Sequence, residues 1–157
     1  VLAHGFRPDH DAWAAAGWRI APVPPPAAAA ALVVVPRSKA LARGAVAAAA
    51  AMAPLVIVDG QRIDGVDSLW RDLREVLGRD IPCVTKAHGR LFWIAAEPAL
   101  AAWALPGPQA GADGVYSQAG VFSADGPDPA SVLLAAALPA SLPARMADLG
   151  AGVGVLS

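Results

Sequence analysis

Two short runs of hydrophobic residues lie in the middle of the chain, and neither alternates with polar residues. They are ALVVV at 31–35 and PLVIV at 54–58. Continuous apolar runs of this length are typical of strands buried on both faces of a sheet. The alanine-rich segment 38–52 lies between them and begins at Ser38, which can cap a helix. The pattern therefore predicts strand, helix, strand.

A helical stripe and a hairpin follow. Within 67–78 the apolar residues repeat at i, i+4, i+7 and i+8, which predicts an amphipathic helix. The segments 81–86 and 90–96 flank Ala87-His88-Gly89 and predict a β-hairpin. Alternation of strands and helices predicts an α/β fold with a mainly parallel sheet and an antiparallel edge.

The flanking segments differ in composition from this middle part. Prolines and alanines at 22–30 predict a loop or tether, and a change toward Pro, Gly and Ala marks 98–114 as a linker. After it, the pattern predicts strands within 115–123, a helix at 128–138 capped by Asp128, and a short strand at 145–149. The predicted organisation is an N-terminal segment 1–30, an α/β domain 31–97, a linker 98–114 and the beginning of a second α/β domain at 115–157.

Composition and charge limit the possible functions. Hydrophobic residues make up 56% of the chain and charged residues 16%, which allows a buried core. The net charge is −1, with eleven Lys/Arg and nine Asp/Glu in 1–97 but one and four in 98–157. A contact with a polyanion is therefore expected in the first part. The single cysteine, Cys83, favours a reducing, cytoplasmic setting, and no apolar run is long enough to predict a membrane span.

A glycine loop ends the sequence. Asp148 precedes Gly150, Gly152 and Gly154 in the pattern Asp-x-Gly-x-Gly-x-Gly. Glycines after a strand leave backbone N–H groups accessible to a ligand. The spacing differs from the Gly-x-Gly-x-x-Gly of nicotinamide-binding folds. The loop is thus either an ordinary strand-to-helix turn or a nucleotide-type cofactor loop of another class.

The loop resembles the first motif of class I S-adenosylmethionine-dependent methyltransferases. The segment GVFSADGPDPASVLLAAALP at 120–139, followed by ARMADLGAGVGVLS, is similar to the entry to the catalytic domain in bacterial small-subunit ribosomal RNA guanine-N2-methyltransferases. A weaker similarity over 32–97 implies a Rossmann-like, methyltransferase-type amino-terminal domain that has lost cofactor binding. Pro36-Arg37-Ser38-Lys39 stands where a cofactor turn would need glycines.

The resemblance implies a cofactor, S-adenosylmethionine, and residues that would bind it. They are Asp148, Gly150, Gly152 and Gly154 in the loop, and Phe122, Ser123 and Asp125 in the segment that covers the cofactor in related enzymes. For Phe122, core packing is an equal alternative. The ribose-binding acid and the Asn-Pro-Pro loop of the family would lie further on. We therefore expect the chain to be inactive alone and to methylate an exocyclic guanine amine only within a complete enzyme.

Arg37, Lys39 and Arg43 surround the start of the helix at 38–52. Cations there oppose the helix dipole, which suggests a role beyond stability. They could hold RNA phosphates of ribosomal RNA or the small ribosomal subunit, or they could form a solvated basic face. We favour the second interpretation and keep the first as a hypothesis.

Other polar and aromatic residues favour structural roles. His4, Asp9, His10 and Asp11 lie in a segment without a predicted framework, so we predict no metal site there. Cys83 and Trp93 are predicted to be core residues, and His88 a turn residue. Trp70 and Trp103 could stack on RNA bases, but core or interdomain packing is the favoured interpretation.

Two other functions stay open from the sequence. A class I methyltransferase could act on transfer RNA or a protein side chain, because the glycine motif is common to the class. Alternatively, the chain could be a stand-alone α/β binding or scaffold module with a vestigial loop. The sequence does not decide the oligomeric state.

Overall fold

A computed structural model describes residues 1–111, 114, 116–121, 126, 128–139, 141–143 and 145–151. The chain divides into two compact units, Val1–Ala104 and Leu105–Ser157. We describe each unit separately.

The first unit contains six strands, three α-helices and two 3₁₀ helices. In chain order these are β1 Leu2–Ala3, α1 Arg7–Ala15, β2 Ile20–Ala21, β3 Ala31–Val34, α2 Lys39–Met52, β4 Leu55–Gln61, a 3₁₀ helix Arg62–Asp64, α3 Val66–Leu77, β5 Cys83–Lys86, β6 Gly89–Ala95 and a 3₁₀ helix Pro98–Trp103. The second unit contains β7 Gln109–Ala110, β8 Tyr116–Ser117 and α4 Pro129–Ala137.

A four-stranded sheet in the order β3-β4-β6-β5 organises the first unit. β3 and β4 are parallel, with Val33 opposite Val58, while β4 with β6 and β6 with β5 are antiparallel. The α/β class is confirmed, but the prediction of a mainly parallel sheet is wrong. Because β6, and not β5, pairs with β4, an antiparallel strand occupies the interior of the sheet and not only its edge.

One face of the sheet packs against α2 and α3. Its buried side chains come from alternate strand positions and meet two apolar helix stripes: Val33, Val35, Val56, Val58, Phe92 and Ile94 from the sheet, and Ala42, Val46, Ala49, Val66, Leu69 and Leu73 from the helices. Small residues along α2 allow it to lie close to the strands. Full burial of a Val, Leu or Phe contributes about 1.5–3 kcal/mol, so this layer is the main source of stability.

The other face of the sheet is exposed. Leu32, Val34 and Trp93 keep 62%, 70% and 43% of their surface accessible. The predictions that 31–35 is buried on both faces and that Trp93 is in the core are therefore wrong. Both crossover helices pack on the same side, and the described residues provide no helix for the opposite side.

Helix ends agree with the sequence. The Ser38 hydroxyl accepts a hydrogen bond from the backbone N–H of Leu41 at 3.4 Å, and the Asp128 carboxylate accepts one from Ser131 at 3.1 Å. Gly78 ends α3 in the left-handed conformation, with a φ of 61°. These caps confirm the predicted starts of α2 and α4 and the predicted end of α3.

Residues 1–21 contain structure that the pattern did not predict. α1 begins with Pro8 in its first turn, and Leu2 pairs in parallel with Ile20. Trp13 and Trp18 meet edge to face, with ring centroids 6.1 Å apart. The described segment 22–30 contains no helix or strand, which confirms the predicted loop.

The second unit has less regular structure in its described residues. β7 and β8 are antiparallel, and α4 exposes Val132, Leu133 and Leu134. The strand predicted at 145–149 is absent among the described residues, because no described strand lies alongside to accept its hydrogen bonds. In the described part of the chain, no helix has both the length and the apolar character needed to cross a membrane.

Candidate functional site

The beginning of the glycine loop is described as far as residue 151. Gly150 has a φ of +83°, and a Cβ built on it would meet no atom within 4 Å. Asp148 and Leu149 are both exposed, Leu149 at 93%. The backbone therefore turns sharply at the first glycine of the motif and has open space beside it. This conformation favours glycine and suits the close approach of a ligand to the main chain.

Five of the predicted cofactor residues lie outside the described part of the chain. They are Phe122, Ser123, Asp125, Gly152 and Gly154. Their predicted roles stay predictions. Of the predicted set, only Asp148 and Gly150 are among the described residues, and both lie at the start of the loop.

Two of the three predicted basic residues at the start of α2 share an acidic partner. Lys39 Nζ lies 3.1 Å and Arg43 Nη2 2.8 Å from the same oxygen, Oδ2, of Asp72 on α3. Burial alone would raise the pKa of Asp72, but hydrogen bonds and charge from Arg43 and Lys39 outweigh it and hold that pKa below its usual value. The Asp72 side chain is only 17% exposed.

Arg43 also contacts Trp103. Its guanidinium carbon lies 5.2 Å from the centroid of that indole, which follows the sheet in the 3₁₀ helix Pro98–Trp103. One side chain thus links α2, α3 and the 3₁₀ helix. Sequence analysis placed Arg43 in a candidate RNA site, and the structure gives it this additional role in packing.

Arg37 differs from its two neighbours. Its side chain is 87% exposed, and its Nε lies 4.0 Å from Asp64. An ion pair this long and exposed contributes little to stability. Of the three predicted RNA-binding residues, Arg37 is therefore the one whose charge is most available to a ligand.

Trp70 lies beside two guanidinium groups that sequence analysis did not connect. The guanidinium carbons of Arg74 and Arg90 are 4.5 and 4.2 Å from its ring centroid, and its indole N–H donates to the carbonyl of Ile81 at 3.0 Å. Trp70 packs against the core, as predicted. Only the pairing of β5 with β6 brings Arg90 to it, and no local sequence signal indicates this.

Arg90 is held on several sides. Its Nε donates to Asp67 Oδ1 at 2.8 Å, and its Nη1 donates to Cys83 Sγ at 2.9 Å. Burial would lower the pKa of Arg90, but the hydrogen bond to Asp67 and the interaction with Cys83 raise it above its ordinary value. Cys83 is half-buried and packs against the core, as predicted for a structural thiol.

The amino-terminal histidines form pairs with neighbouring carboxylates. His4 Nε2 lies 3.5 Å from Asp9, and His10 Nδ1 lies 3.5 Å from Asp11. Among the described residues, no three His, Cys, Asp or Glu side chains come together as metal ligands would. These contacts are surface pairs within α1 and between α1 and the residue His4 that precedes it.

A family model and a solved structure are similar to parts of this chain. Residues 113–157 match the methyltransferase small domain family. No curated protein sequence matches the chain. Among solved structures, the chain is similar to the T. thermophilus 16S rRNA N2 G1207 methyltransferase in complex with AdoMet and guanosine, with a TM-score of 0.58 and 22% identity. The match covers 80% of this chain and 38% of that one, so this chain spans well under half of its neighbour's length.

Proposed function

We propose that the chain is part of an S-adenosylmethionine-dependent methyltransferase, because residues 113–157 match the methyltransferase small domain family. Its substrate is an exocyclic guanine amine in small-subunit ribosomal RNA. The family match carries the reaction class. The fold similarity to a 16S rRNA N2 G1207 methyltransferase supports the choice of substrate.

The described start of the glycine loop fits the proposed cofactor. S-adenosylmethionine, when bound, supplies an activated methyl group. Gly150 lets the main chain approach the cofactor without a Cβ, and Asp148 is positioned at the start of the loop to orient it. The roles of Gly152, Gly154, Phe122, Ser123 and Asp125 in covering and holding it are part of the same proposal.

The first unit has a supporting role in this proposal. Its turn Pro36–Lys39 offers no glycine, and the Ser38 side chain already occupies the N–H of Leu41. A cofactor is therefore placed in the second unit only. Arg37, Lys39 and Arg43 supply positive charge for RNA phosphates, and Arg37 is the most accessible of them. We place the protein in the cytoplasm, with the ribosomal subunit as its partner.

The catalytic groups for the guanine amine are not among these residues. The 157 residues contain no asparagine, so they do not supply the Asn-Pro-Pro loop that the resemblance implies. Catalysis is accordingly tested on the protein encoded by the complete gene. That protein is mixed with radiolabelled S-adenosylmethionine and, in separate reactions, 16S rRNA, small ribosomal subunits, transfer RNA or protein.

Label in the N2 amine of guanine, in 16S rRNA or in the subunit, is the expected result. Label found only in transfer RNA or protein would support the proposed methyl transfer but contradict the proposed substrate. Absence of label in every reaction, together with absence of cofactor binding by calorimetry, would favour a binding or scaffold module and overturn the proposal.

Two glycine variants test the loop itself. Gly150→Val is expected to weaken cofactor binding at least tenfold, because a β-branched residue disfavours a φ of +83° and adds bulk beside the ligand. Gly17→Val is the matched control, since Gly17 has a φ of +84° and equally open surroundings in the first unit. Equal cofactor affinity in the two variants would contradict the assignment of the loop.

A further inference from the structure

Basic residues from separate segments meet at one edge of the four-stranded sheet. β3 and β4 are parallel, so both carboxyl ends reach this edge, where Arg37 and Arg62 follow them. β6 is antiparallel to β4, and its first residue, Gly89, lies opposite Gln61. The turn between β5 and β6 therefore lies at the same edge. The backbone N–H of Arg62 donates to the carbonyl of His88 at 3.0 Å.

The acidic residues of this edge are less exposed than the cations. Arg37 is paired with the mostly covered Asp64, and the 62%-exposed Arg62 lies 3.2 Å from the half-buried Asp67. Asp67 is also the partner of Arg90, so one carboxylate serves two guanidinium groups. The cations are therefore not fully compensated and face outward.

Lys86 adds a charge at the hairpin turn. It is exposed and forms no ion pair with any residue in the described part of the chain. This edge carries four cationic side chains and three acidic ones. The cations are Arg37, Arg62, Lys86 and Arg90, and the acids are Asp59, Asp64 and Asp67. At the opposite edge, β3, β4 and β6 begin or end with the neutral residues Ala31, Leu55 and Ala95, and Glu97, just beyond β6, is paired with Arg79.

The hairpin turn places His88 at its exposed tip. Ala87 and His88 have φ values of 49° and 62°, in the left-handed region. Two-residue hairpin turns that need positive φ at both positions favour Asn-Gly, and a non-glycine residue there costs about 1–2 kcal/mol. Histidine is among the non-glycine residues that adopt this conformation more often, and here its imidazole is exposed between the exposed cations of this edge.

We propose that Arg37, Arg62 and Lys86 form a phosphate-binding edge for RNA, with His88 placed at its tip to contact a nucleotide. The inference rests on the proposed function, which makes RNA the partner. It extends the RNA contact from Arg37, next to the start of α2, to the β5–β6 turn. Phosphate contacts by exposed Arg and Lys position the RNA, and an imidazole can stack on an unpaired base.

The test is RNA binding as a function of salt, measured by fluorescence anisotropy with the 157-residue chain and a labelled single-stranded RNA. The variant Arg37→Gln/Lys86→Gln removes two charges that contribute little to the fold. The control Arg71→Gln/Arg79→Gln also removes two positive charges. One is Arg71 on α3, and the other is Arg79, which pairs with Glu97. Each phosphate contact with a single strand contributes about 0.7 to the slope of log K against log salt.

The variant Arg37→Gln/Lys86→Gln is expected to reduce the magnitude of that slope by about 1.4, whereas the control is expected to leave the slope unchanged. Equal slopes in the two variants would overturn the phosphate-binding edge. If the complete protein still methylates ribosomal RNA in that case, the proposed function stands and only the edge is wrong. Absence of both RNA binding and methyl transfer would overturn both.

His88→Gly separates the turn's function from its stability. Glycine relieves the strain at a φ of 62°, so the variant is expected to unfold at a higher temperature than the parent chain. It is also expected to bind the labelled RNA several-fold more weakly, because the imidazole is lost. A variant that is more stable and binds RNA as well as the parent would overturn the role given to His88.

Discussion

Asp72 is the residue on which the packing of α2 against α3 most depends electrostatically. It accepts from two cations of the neighbouring helix, and one of these, Arg43, also contacts Trp103. Because the carboxylate is mostly covered, its ion pairs are screened less than those at the surface. The basic cluster at the start of α2 is therefore part of the fold, whatever else it contacts.

The lowered pKa of Asp72 makes this contribution depend on pH. A carboxyl whose pKa is lower in the folded state stabilises the protein above its unfolded pKa, about 3.9, and loses that effect as pH falls through the folded value. We expect Asp72→Asn to lower the free energy of unfolding by about 1 kcal/mol at neutral pH. The difference should shrink below about pH 4, as followed by urea unfolding at several pH values.

Asp80→Asn is the control for this experiment. Asp80 pairs with Arg74 but is 77% exposed, so its removal should change stability little at any pH. A constant difference between Asp72→Asn and the parent chain from neutral to acidic pH would contradict the role of the ion pairs.

At the scale of helices and strands, the sequence correctly predicted the elements that neighbouring residues determine. The stripe in 67–78, the cap at Ser38 and the hairpin at 81–96 are each encoded by neighbouring residues, and all three form. α1 was missed because its apolar residues have no helical stripe and its stability does not come from a buried face. The strand at 145–149 was wrongly predicted because a strand depends on a partner that the segment itself does not specify.

The candidate sites show the same limit. The glycine motif is local, so Gly150 could be proposed as a cofactor residue from the sequence alone. The grouping of Arg37, Arg62 and Lys86 depends on strand order, since these residues are up to about fifty positions apart and meet only when β6 pairs with β4. No periodicity in the chain indicates that register.

Gly60 is a site where two elements approach too closely for a side chain. A Cβ there would lie 2.7 Å from Val35 Cβ and 3.1 Å from Val66 Cβ. Gly60→Ala is expected to destabilise the first unit by about 1–3 kcal/mol, because β4 would have to move from the end of β3 or the start of α3. Thermal unfolding measures this change. Gly5→Ala, whose Cβ would be 4.0 Å from its nearest atom, should leave the unfolding temperature within error.

At the scale of the whole first unit, one face of the sheet is buried and the other is exposed. The buried face meets α2 and α3, while Leu32, Val34 and Trp93 leave apolar surface on the other. β3 is also an edge strand whose outer backbone groups have no strand alongside in the described residues. Both features favour association through this side of the sheet.

Leu32→Thr/Val34→Thr should reduce that association without weakening the fold. Threonine has the β-branched shape that strands favour, and both positions are already exposed, so stability should change by less than about 0.5 kcal/mol. Light scattering and binding of a hydrophobic dye should both decrease. In the control Val33→Thr, the buried position of the same strand is changed, and stability should fall by about 1–3 kcal/mol. Unchanged scattering in the double variant would show that this face does not drive association.

The distribution of tryptophan has an optical consequence. All five tryptophans, at 13, 18, 70, 93 and 103, lie in the first unit, and the second unit holds the single tyrosine, Tyr116. Emission excited at the red edge of the absorption band therefore comes from residues 1–104 alone. Trp70 and Trp103 are partly buried against guanidinium groups, so their spectra will shift when the helical layer opens. The chain thus carries an intrinsic fluorescent label for one unit, against which circular dichroism reports the two together.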